Sequence, residues 1–166
     1  ICVVQLADGH YHVYQSKDNG YSWNDVLDFG SEKYGCMICP NYGRAIICTS
    51  AGWWASDNSG TSWSKISTQA PGCFCVKEIT SDILVAMDGS YVWRSINGGV
   101  SWSKANGAYP SDTPLIAQTI HPAIDGTYYD LIVGIKNELY YSYDGGQHFA
   151  RVRLVMLGIP ENPEGH

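Results

Sequence analysis

One eight-residue phrase occurs four times in this chain and constrains its fold more than any other feature. The copies span residues 16–23, 56–63, 95–102 and 142–149. They share the pattern Ser-x-Asp/Asn-x-Gly-x-Ser-Trp, with His and Phe in the last two positions of the fourth copy. The Asp/Asn positions are separated by 40, 39 and 47 residues. A period of about 40 residues is typical of propeller blades or short solenoid units.

The residue types of the phrase predict a tight loop with its own apolar anchor. An Asp or Asn side chain accepts hydrogen bonds from the backbone N–H groups that follow it, which closes a turn. Gly two residues later permits a positive φ angle, and the final aromatic residue is expected to be buried under the turn. The predicted structural positions are Asp18, Gly20, Trp23, Asn58, Gly60, Trp63, Asn97, Gly99, Trp102, Asp144, Gly146 and Phe149.

The phrase resembles the Asp-box, also called the bacterial neuraminidase repeat, and the four copies with their flanking strands cover nearly the whole chain. In that family the box joins the third and fourth strands of a propeller blade. The resemblance therefore implies an all-β propeller, either four-bladed or a segment of a larger ring. Asp-boxes occur in sialidases, xyloglucan-cleaving enzymes, sorting receptors, photosystem assembly factors and adhesive or viral surface proteins. In these proteins the box lies away from the active site, so the resemblance predicts fold more than function.

Strand and turn signals divide the chain into four units and a tail. Residues 1–29 predict a partial blade of three strands, residues 30–69 and 70–107 predict full blades, and residues 108–155 predict a blade with a longer loop. Residues 156–166 are interpreted as a C-terminal tail or closing segment. The first unit has no innermost strand. An edge left open in this way invites pairing, so a homo-oligomer joined through sheet edges is an alternative to a self-closed ring.

Aromatic residues also recur at one position relative to the phrase. Tyr14, Trp54, Trp93 and Tyr140 stand two residues before the Ser, and Val13, Trp53, Val92 and Leu139 stand one residue earlier. Large side chains at equivalent positions of successive sheets are what packing between blades requires. We therefore interpret most of the aromatic residues as core.

The six cysteines favour a secreted or surface location, because reduced cytosolic domains of this size usually carry fewer. A two-residue turn at Gly43-Arg44 predicts Cys39 opposite Cys48, either as a disulfide or as two buried thiols. Cys36 and Cys73 follow glycines at equivalent places in successive units and form a second possible pair.

Charge and hydropathy exclude two classes of partner. The net charge is −6 and no cluster of Lys and Arg is present, so we expect no nucleic-acid partner. The apolar runs are shorter than the ~20 residues of a membrane span. The chain begins at Ile1 without a signal peptide, which predicts a processed form or a piece of a longer protein.

The hypotheses of an enzyme and of a metal site have weaker support in the sequence than the hypothesis of a binding function. A sialidase needs three arginines that contact the substrate carboxylate. The chain has four arginines, but two of them follow a box, where the outer strand runs, and are badly placed for a central site. The four are Arg44, Arg94, Arg151 and Arg153, and the last two follow the box. A glycosidase needs two facing carboxylates, and the loop residues Asp8, Asp88, Asp125 and Asp130 contain no distinguished pair. His10 and His12 alternate on one strand face as a possible metal half-site. We interpret them as surface histidines and predict no metal and no cofactor.

Four tyrosines in predicted loops suggest a binding function. Tyr42, Tyr109, Tyr128 and Tyr129 are suited to stacking on sugar rings or contacting protein surfaces. The sequence thus predicts a non-enzymatic recognition or assembly module that binds glycan or protein through propeller-end loops, on an extracellular or virion surface. A fragment of a carbohydrate-active enzyme, glycosidase or sialidase-like, and an intracellular assembly factor are the alternatives.

Overall fold

The chain folds into four sheets whose strands follow one another along the sequence, as an all-β propeller segment. A computed structural model describes residues 1–39, 43–69, 72–73, 75–88, 91–107, 131–135 and 138–152. Sheet 1 contains β1 (Cys2–Gln5), β2 (Tyr11–Gln15) and β3 (Asn24–Asp28). Sheet 2 contains β4 (Tyr34–Ile38), β5 (Ala45–Thr49), β6 (Gly52–Ser56) and β7 (Ser64–Ser67). Sheet 3 contains β8 (Cys75–Glu78), β9 (Leu84–Met87), β10 (Val92–Ser95) and β11 (Ser103–Lys104).

Sheet 4 contains one strand pairing that the sequence did not predict. Its strands are β12 (Asn106–Gly107), β13 (Leu131–Ile135), β14 (Glu138–Ser142) and β15 (His148–Arg151). β12 directly follows the last strand of sheet 3 and pairs parallel with β15, whereas β13, β14 and β15 pair antiparallel. The strand predicted at residues 115–121 lies outside the described residues. The described part of the chain contains no helix with the length and apolar character needed to cross a membrane.

The four copies of the phrase join consecutive antiparallel strands and form the same loop each time. We call residues 16–23, 56–63, 95–102 and 142–149 repeat loops 1 to 4. In each loop the first Ser Oγ accepts a hydrogen bond from the backbone N–H of the Gly four residues later, at 2.7–2.9 Å. The Asp/Asn Oδ1 accepts from the N–H four residues after it, at 2.8–2.9 Å. The three Trp Nε1–H groups donate to that Gly carbonyl at 2.9–3.1 Å. These recurring contacts are all local, so the same eight-residue pattern gives the same loop in each sheet.

Two successive residues of each loop adopt positive φ, where the sequence predicted one. The Gly that the four copies share has φ between 81° and 93°. The residue before it is also left-handed, with φ of 57°, 60°, 65° and 66° at Asn19, Ser59, Gly98 and Gly145. Repeat loops 1 and 2 therefore hold a non-Gly residue in a conformation that carries a steric cost.

The residue before this Gly also accepts a hydrogen bond from a side chain of the preceding sheet. Its carbonyl accepts a hydrogen bond from Gln15 Nε2 at Ser59 (2.6 Å), from Arg44 Nη2 at Gly98 (2.9 Å) and from Arg94 Nε at Gly145 (2.9 Å). Sheets 1, 2 and 3 are thus each linked to the repeat loop of the next sheet through one side chain. Two of the four arginines considered for a sialidase site serve this structural role.

Apolar clusters fill the spaces between neighbouring sheets. Sheets 1 and 2 enclose Val13, Phe29 and Ile47, with Trp54 and Trp63 packed against them. Sheets 2 and 3 enclose a larger cluster, which includes Ile46, Trp53, Cys48, Cys73, Leu84 and Trp102. Trp23 differs from its counterparts because 46% of it remains exposed, whereas Trp102 is 6% exposed. Burial of the loop aromatic therefore depends on a preceding sheet that covers it.

The predicted pairing of Cys39 with Cys48 is wrong. β4 and β5 place Cys36 opposite Cys48 and Ile38 opposite Ile46, and no disulfide joins Cys39 to Cys48. The prediction assumed a two-residue turn, but the connection between β4 and β5 runs from residue 39 to residue 44. A longer connection shifts the register, so Cys39 lies beyond the end of β4 and is exposed.

Three cysteines meet in the core between sheets 2 and 3. The Cys48 thiol makes hydrogen bonds with Cys36 and Cys73, and all three residues are buried. The hydrogen bond to Cys48 together with burial raises the pKa of the Cys73 thiol. The sequence had aligned Cys36 with Cys73, and the structure brings both to Cys48 as part of one apolar cluster.

Candidate binding groove

The four tyrosines predicted to bind a ligand, Tyr42, Tyr109, Tyr128 and Tyr129, lie outside the described residues. Within the described part of the chain, a groove lies between β7 and repeat loop 3. Its volume is 390 Å³, and it is lined by Lys65, Ile66, Ser67, Thr68, Gln69, Val100 and Ser101. None of these residues was predicted from the sequence to bind a ligand.

One wall of the groove is the outermost strand of sheet 2. β7 pairs with β6 on one side and is the last strand of its sheet. An edge strand presents backbone N–H and C=O groups that can pair with another chain. The polar residues Ser64, Lys65, Thr68 and Gln69 are exposed along this edge.

Lys65 is held in place by Glu32. Its ammonium lies 2.7 Å from Glu32 Oε1, and it lies 5.3 Å from the centroid of the Trp54 ring. Glu32 Oε2 also accepts hydrogen bonds from Thr49 Oγ1 at 2.7 Å and from Trp54 Nε1 at 3.2 Å. Partial burial opposes ionisation of Glu32, but these hydrogen bonds outweigh it and lower the pKa of the carboxyl. The charged rim of the groove therefore has a fixed geometry.

The other wall is repeat loop 3, which presents an apolar side chain on a rigid frame. Val100 is 53% exposed and faces the groove. Its neighbour Ser101 is fixed because its N–H donates to Asn97 Oδ1 at 2.9 Å. Gln69 closes the space between the walls, because its Oε1 accepts a hydrogen bond from the Trp102 N–H at 2.8 Å. In the sequence, this site is marked by Val100, an apolar residue at a position of the phrase that differs among the four copies.

The carboxylates considered for glycoside hydrolysis have structural partners where they are described. Asp8 Oδ1 accepts a hydrogen bond from the His10 N–H at 2.9 Å. Asp88 accepts from the Tyr91 N–H at 2.7 Å and from Trp93 Nε1 at 2.6 Å. Asp125 and Asp130 lie outside the described residues. Asp8 and Asp88 thus stabilise the turns in which the sequence placed them.

The two histidines of the possible half-site lie together with a carboxylate. Asp8, His10 and His12 can each supply a ligand atom within 4.8 Å of the others. The His10 and His12 rings are stacked, with centroids 6.4 Å apart. The structure therefore brings a third potential ligand to the pair that the sequence identified.

Comparison with known proteins supports the fold. The sequence matches no protein-family model and no curated protein sequence. A solved structure of YCF48 bound to D1 peptide is similar over 90% of this chain, with a TM-score of 0.56 and 12% identity. The GH74 enzyme of Niastella koreensis is similar over 89% of the chain, with a TM-score of 0.64 and 21% identity. The GH74 xyloglucanase of Xanthomonas campestris is similar over 92%, with a TM-score of 0.60 and 15% identity.

These similarities concern propeller architecture. The chain spans 56% of the YCF48 structure, 23% of the Niastella enzyme and 28% of the Xanthomonas enzyme. The structures similar to this chain thus include a peptide-bound protein and glycoside hydrolases.

Proposed function

We propose that this chain is a non-enzymatic recognition module that binds an extended polypeptide segment of a partner protein. The groove between β7 and repeat loop 3 is the binding site, and it acts on an extracellular or virion surface. The observation that carries the proposal is the combination of an edge strand with a facing, rigidly held Val100. An extended segment that lies beside an edge strand gains backbone hydrogen bonds, and pockets for alternate side chains give specificity.

The geometry suits this mode of binding in two respects. Repeat loop 3 is already ordered by its internal hydrogen bonds, so little conformational entropy is lost when a partner contacts Val100. The polar side chains along β7 and just after it, Ser64, Lys65 and Thr68, are exposed, which leaves the strand edge open to a partner segment. The YCF48 structure with its bound D1 peptide supports polypeptide as the ligand class for a propeller of this kind.

A selection of random peptides displayed on phage tests the proposal. Peptides enriched on the wild-type chain are then measured against Val100→Glu, which places a charge on the apolar wall. The matched control is Ile96→Glu, because Ile96 belongs to the same loop, is 63% exposed and does not line the groove. We expect Val100→Glu to weaken binding at least tenfold and Ile96→Glu to leave it unchanged. Equal binding by both variants, or no enrichment of peptides, would contradict the proposal.

A carbohydrate-active enzyme fragment is the second candidate, and the GH74 enzymes among the similar structures favour it. Burial raises the pKa of Glu78 at the end of β8, although Arg44 and Lys77 act in the opposite direction. A carboxyl with a raised pKa is what a glycosidase uses as general acid. Release of reducing sugar from xyloglucan by the wild-type chain, abolished in Glu78→Gln, would replace the binding proposal with this one.

A further inference from the structure

Sheet 1 departs from the other sheets at one repeated position. In every sheet the aromatic residue two places before the repeat loop pairs in register with the residue two places after the loop's last aromatic. The pairs are Tyr14 with Asp25, Trp54 with Lys65, Trp93 with Lys104 and Tyr140 with Arg151. The second member is basic in sheets 2, 3 and 4 and acidic in sheet 1.

The acidic residue of sheet 1 contacts a different kind of group from the basic residues at the same position of the other sheets. Lys65 and Lys104 lie over the paired tryptophans, at 5.3 Å and 5.5 Å from the ring centroids. Asp25 instead directs its Oδ2 to His12 Nδ1, 2.7 Å away. A cation that lies over an aromatic ring in sheets 2 and 3 is thus replaced in sheet 1 by an acceptor that orients a histidine.

The orientation of His12 leaves its second nitrogen available inside a group of ligand atoms. In the neutral imidazole whose Nδ1 donates to Asp25, Nε2 carries the lone pair. His12 Nε2 lies 3.6 Å from Asp28 Oδ1, and His10 Nδ1 lies 3.3 Å from Asp28 Oδ2. A carboxylate that holds one nitrogen of a histidine while the other faces further ligands is the usual outer-shell arrangement of histidine metal sites.

The residue types fit a small tetrahedral ion. Asp8, His10 and His12 each offer one ligand atom within 4.8 Å of the other two. Asp28 contacts the two histidines through different oxygens, so it holds the rings in place and is not counted among the ligands. Two imidazoles and one carboxylate, with a fourth position for solvent, form a donor set that zinc accepts.

We infer that Asp8, His10 and His12 form a binding site for a divalent zinc-class ion, with Asp25 as the residue that positions His12. The ligands come from the turn between β1 and β2 and from β2 itself. A bound ion therefore joins this turn to the strand that follows it.

Zinc titration of the chelator-treated full chain, followed by calorimetry, tests this inference. We expect one zinc ion per chain, with affinity at least tenfold weaker in His10→Ala and in His12→Ala. His148→Ala is the matched control, because His148 also lies next to an aspartate, with its Nδ1 2.6 Å from Asp144 Oδ2. Zinc uptake that is unchanged in a double variant of His10 and His12, or no uptake by the wild type, would overturn the inference.

Asp25 is tested separately as a positioning residue. We expect Asp25→Ala to weaken zinc binding about 10–100-fold. Asp25→Asn should recover part of the affinity, because its amide oxygen can still accept the His12 hydrogen. Equal affinities for both variants and the wild type would remove Asp25 from the site.

The Co²⁺ absorption spectrum of the wild-type chain gives a readout that requires no variant. A tetrahedral site with nitrogen and oxygen ligands gives visible bands without sulfur-to-metal charge transfer. Charge-transfer bands would place the ion on cysteines and would overturn the assignment.

Discussion

Trp53 and Trp102 stack on each other across the boundary between sheets 2 and 3, with ring centroids 4.3 Å apart and planes inclined by 20°. Trp53 belongs to β6, and Trp102 is the last residue of repeat loop 3. Both are buried, at 0% and 6% exposure. The loop aromatic therefore anchors its own loop through a backbone hydrogen bond and also seals the interface with the preceding sheet.

Replacing the loop aromatic residue should lower the free energy of unfolding more where the ring is more deeply buried. We expect Trp102→Ala to lower the free energy of unfolding by about 3–5 kcal/mol, because it removes a buried ring and leaves a cavity. The matched change Trp23→Ala, at the same position of repeat loop 1, should cost clearly less because nearly half of Trp23 is exposed. Urea unfolding of both variants measures the difference. Equal losses would show that the loop hydrogen bond, and not the packing, sets the contribution of the ring.

The close approach of β4 to residue 73 is tested by two glycines that the sequence aligns. A Cβ added at Gly35 would meet the Cys73 carbonyl oxygen, whereas a Cβ added at Gly72 would meet no atom within 4 Å. Since neither residue has a positive φ, the comparison isolates packing from backbone strain. We expect Gly35→Ala to destabilise the protein by more than about 2 kcal/mol and Gly72→Ala to change it by less than about 1 kcal/mol. Similar thermal midpoints for the two variants would contradict this close approach of β4 to residue 73.

Ser59 offers a stabilising substitution. It holds φ at 60°, a conformation that glycine adopts without steric cost, and repeat loops 3 and 4 have Gly at the same position. Only its backbone carbonyl is used in the link from Gln15, so the link survives the change. We expect Ser59→Gly to raise stability by about 0.5–1 kcal/mol, measured by urea unfolding.

The reverse exchange at the equivalent position provides the control for Ser59. An added Cβ at Gly98 would lie 2.7 Å from Arg44 Nη2, which links sheet 2 to repeat loop 3. Gly98→Ser should therefore destabilise the protein. A stabilising effect of Gly98→Ser, or a destabilising effect of Ser59→Gly, would refute the strain argument.

Asp144 should make stability depend on pH in the acid range. Partial burial acts to raise the pKa of its carboxyl, but hydrogen bonds from His148, Ser142 and Gln147 outweigh burial and lower the pKa from 3.8 to about 2. Because the folded pKa is depressed, the ionised carboxylate stabilises the fold above about pH 4. This stabilisation is lost as the pH falls from about 4 towards 2.

Asp144→Asn tests the assignment, since Asn occupies the same position in repeat loops 2 and 3. We expect the variant to fold and to lose less stability than the wild type between pH 4 and pH 2, measured as thermal midpoints across that range. Asp18→Asn serves as a comparison, because hydrogen bonds from Ser22 also lower the pKa of Asp18. Parallel curves for the wild type and Asp144→Asn would show that Asp144 does not cause the acid dependence.

The sequence by itself determined the four repeat loops, since the hydrogen bonds that recur within them join residues at most four positions apart. It also determined the order of the strands in the first three sheets. The tertiary structure decided how those units meet. It set the register that placed Cys48 opposite Cys36 instead of Cys39, and it left Trp23 half exposed while it buried Trp102.

The candidate sites depend even more on contacts between distant residues. Val100 faces Lys65 and Gln69 only because repeat loop 3 packs beside the edge of sheet 2. His10 and His12 are near each other in sequence, but Asp25 and Asp28 reach them from the next strand. Local turn chemistry can be read along the chain because its partners are adjacent. Side chains brought together by sheet packing share no sequence spacing, so only the folded chain shows which of them form a site.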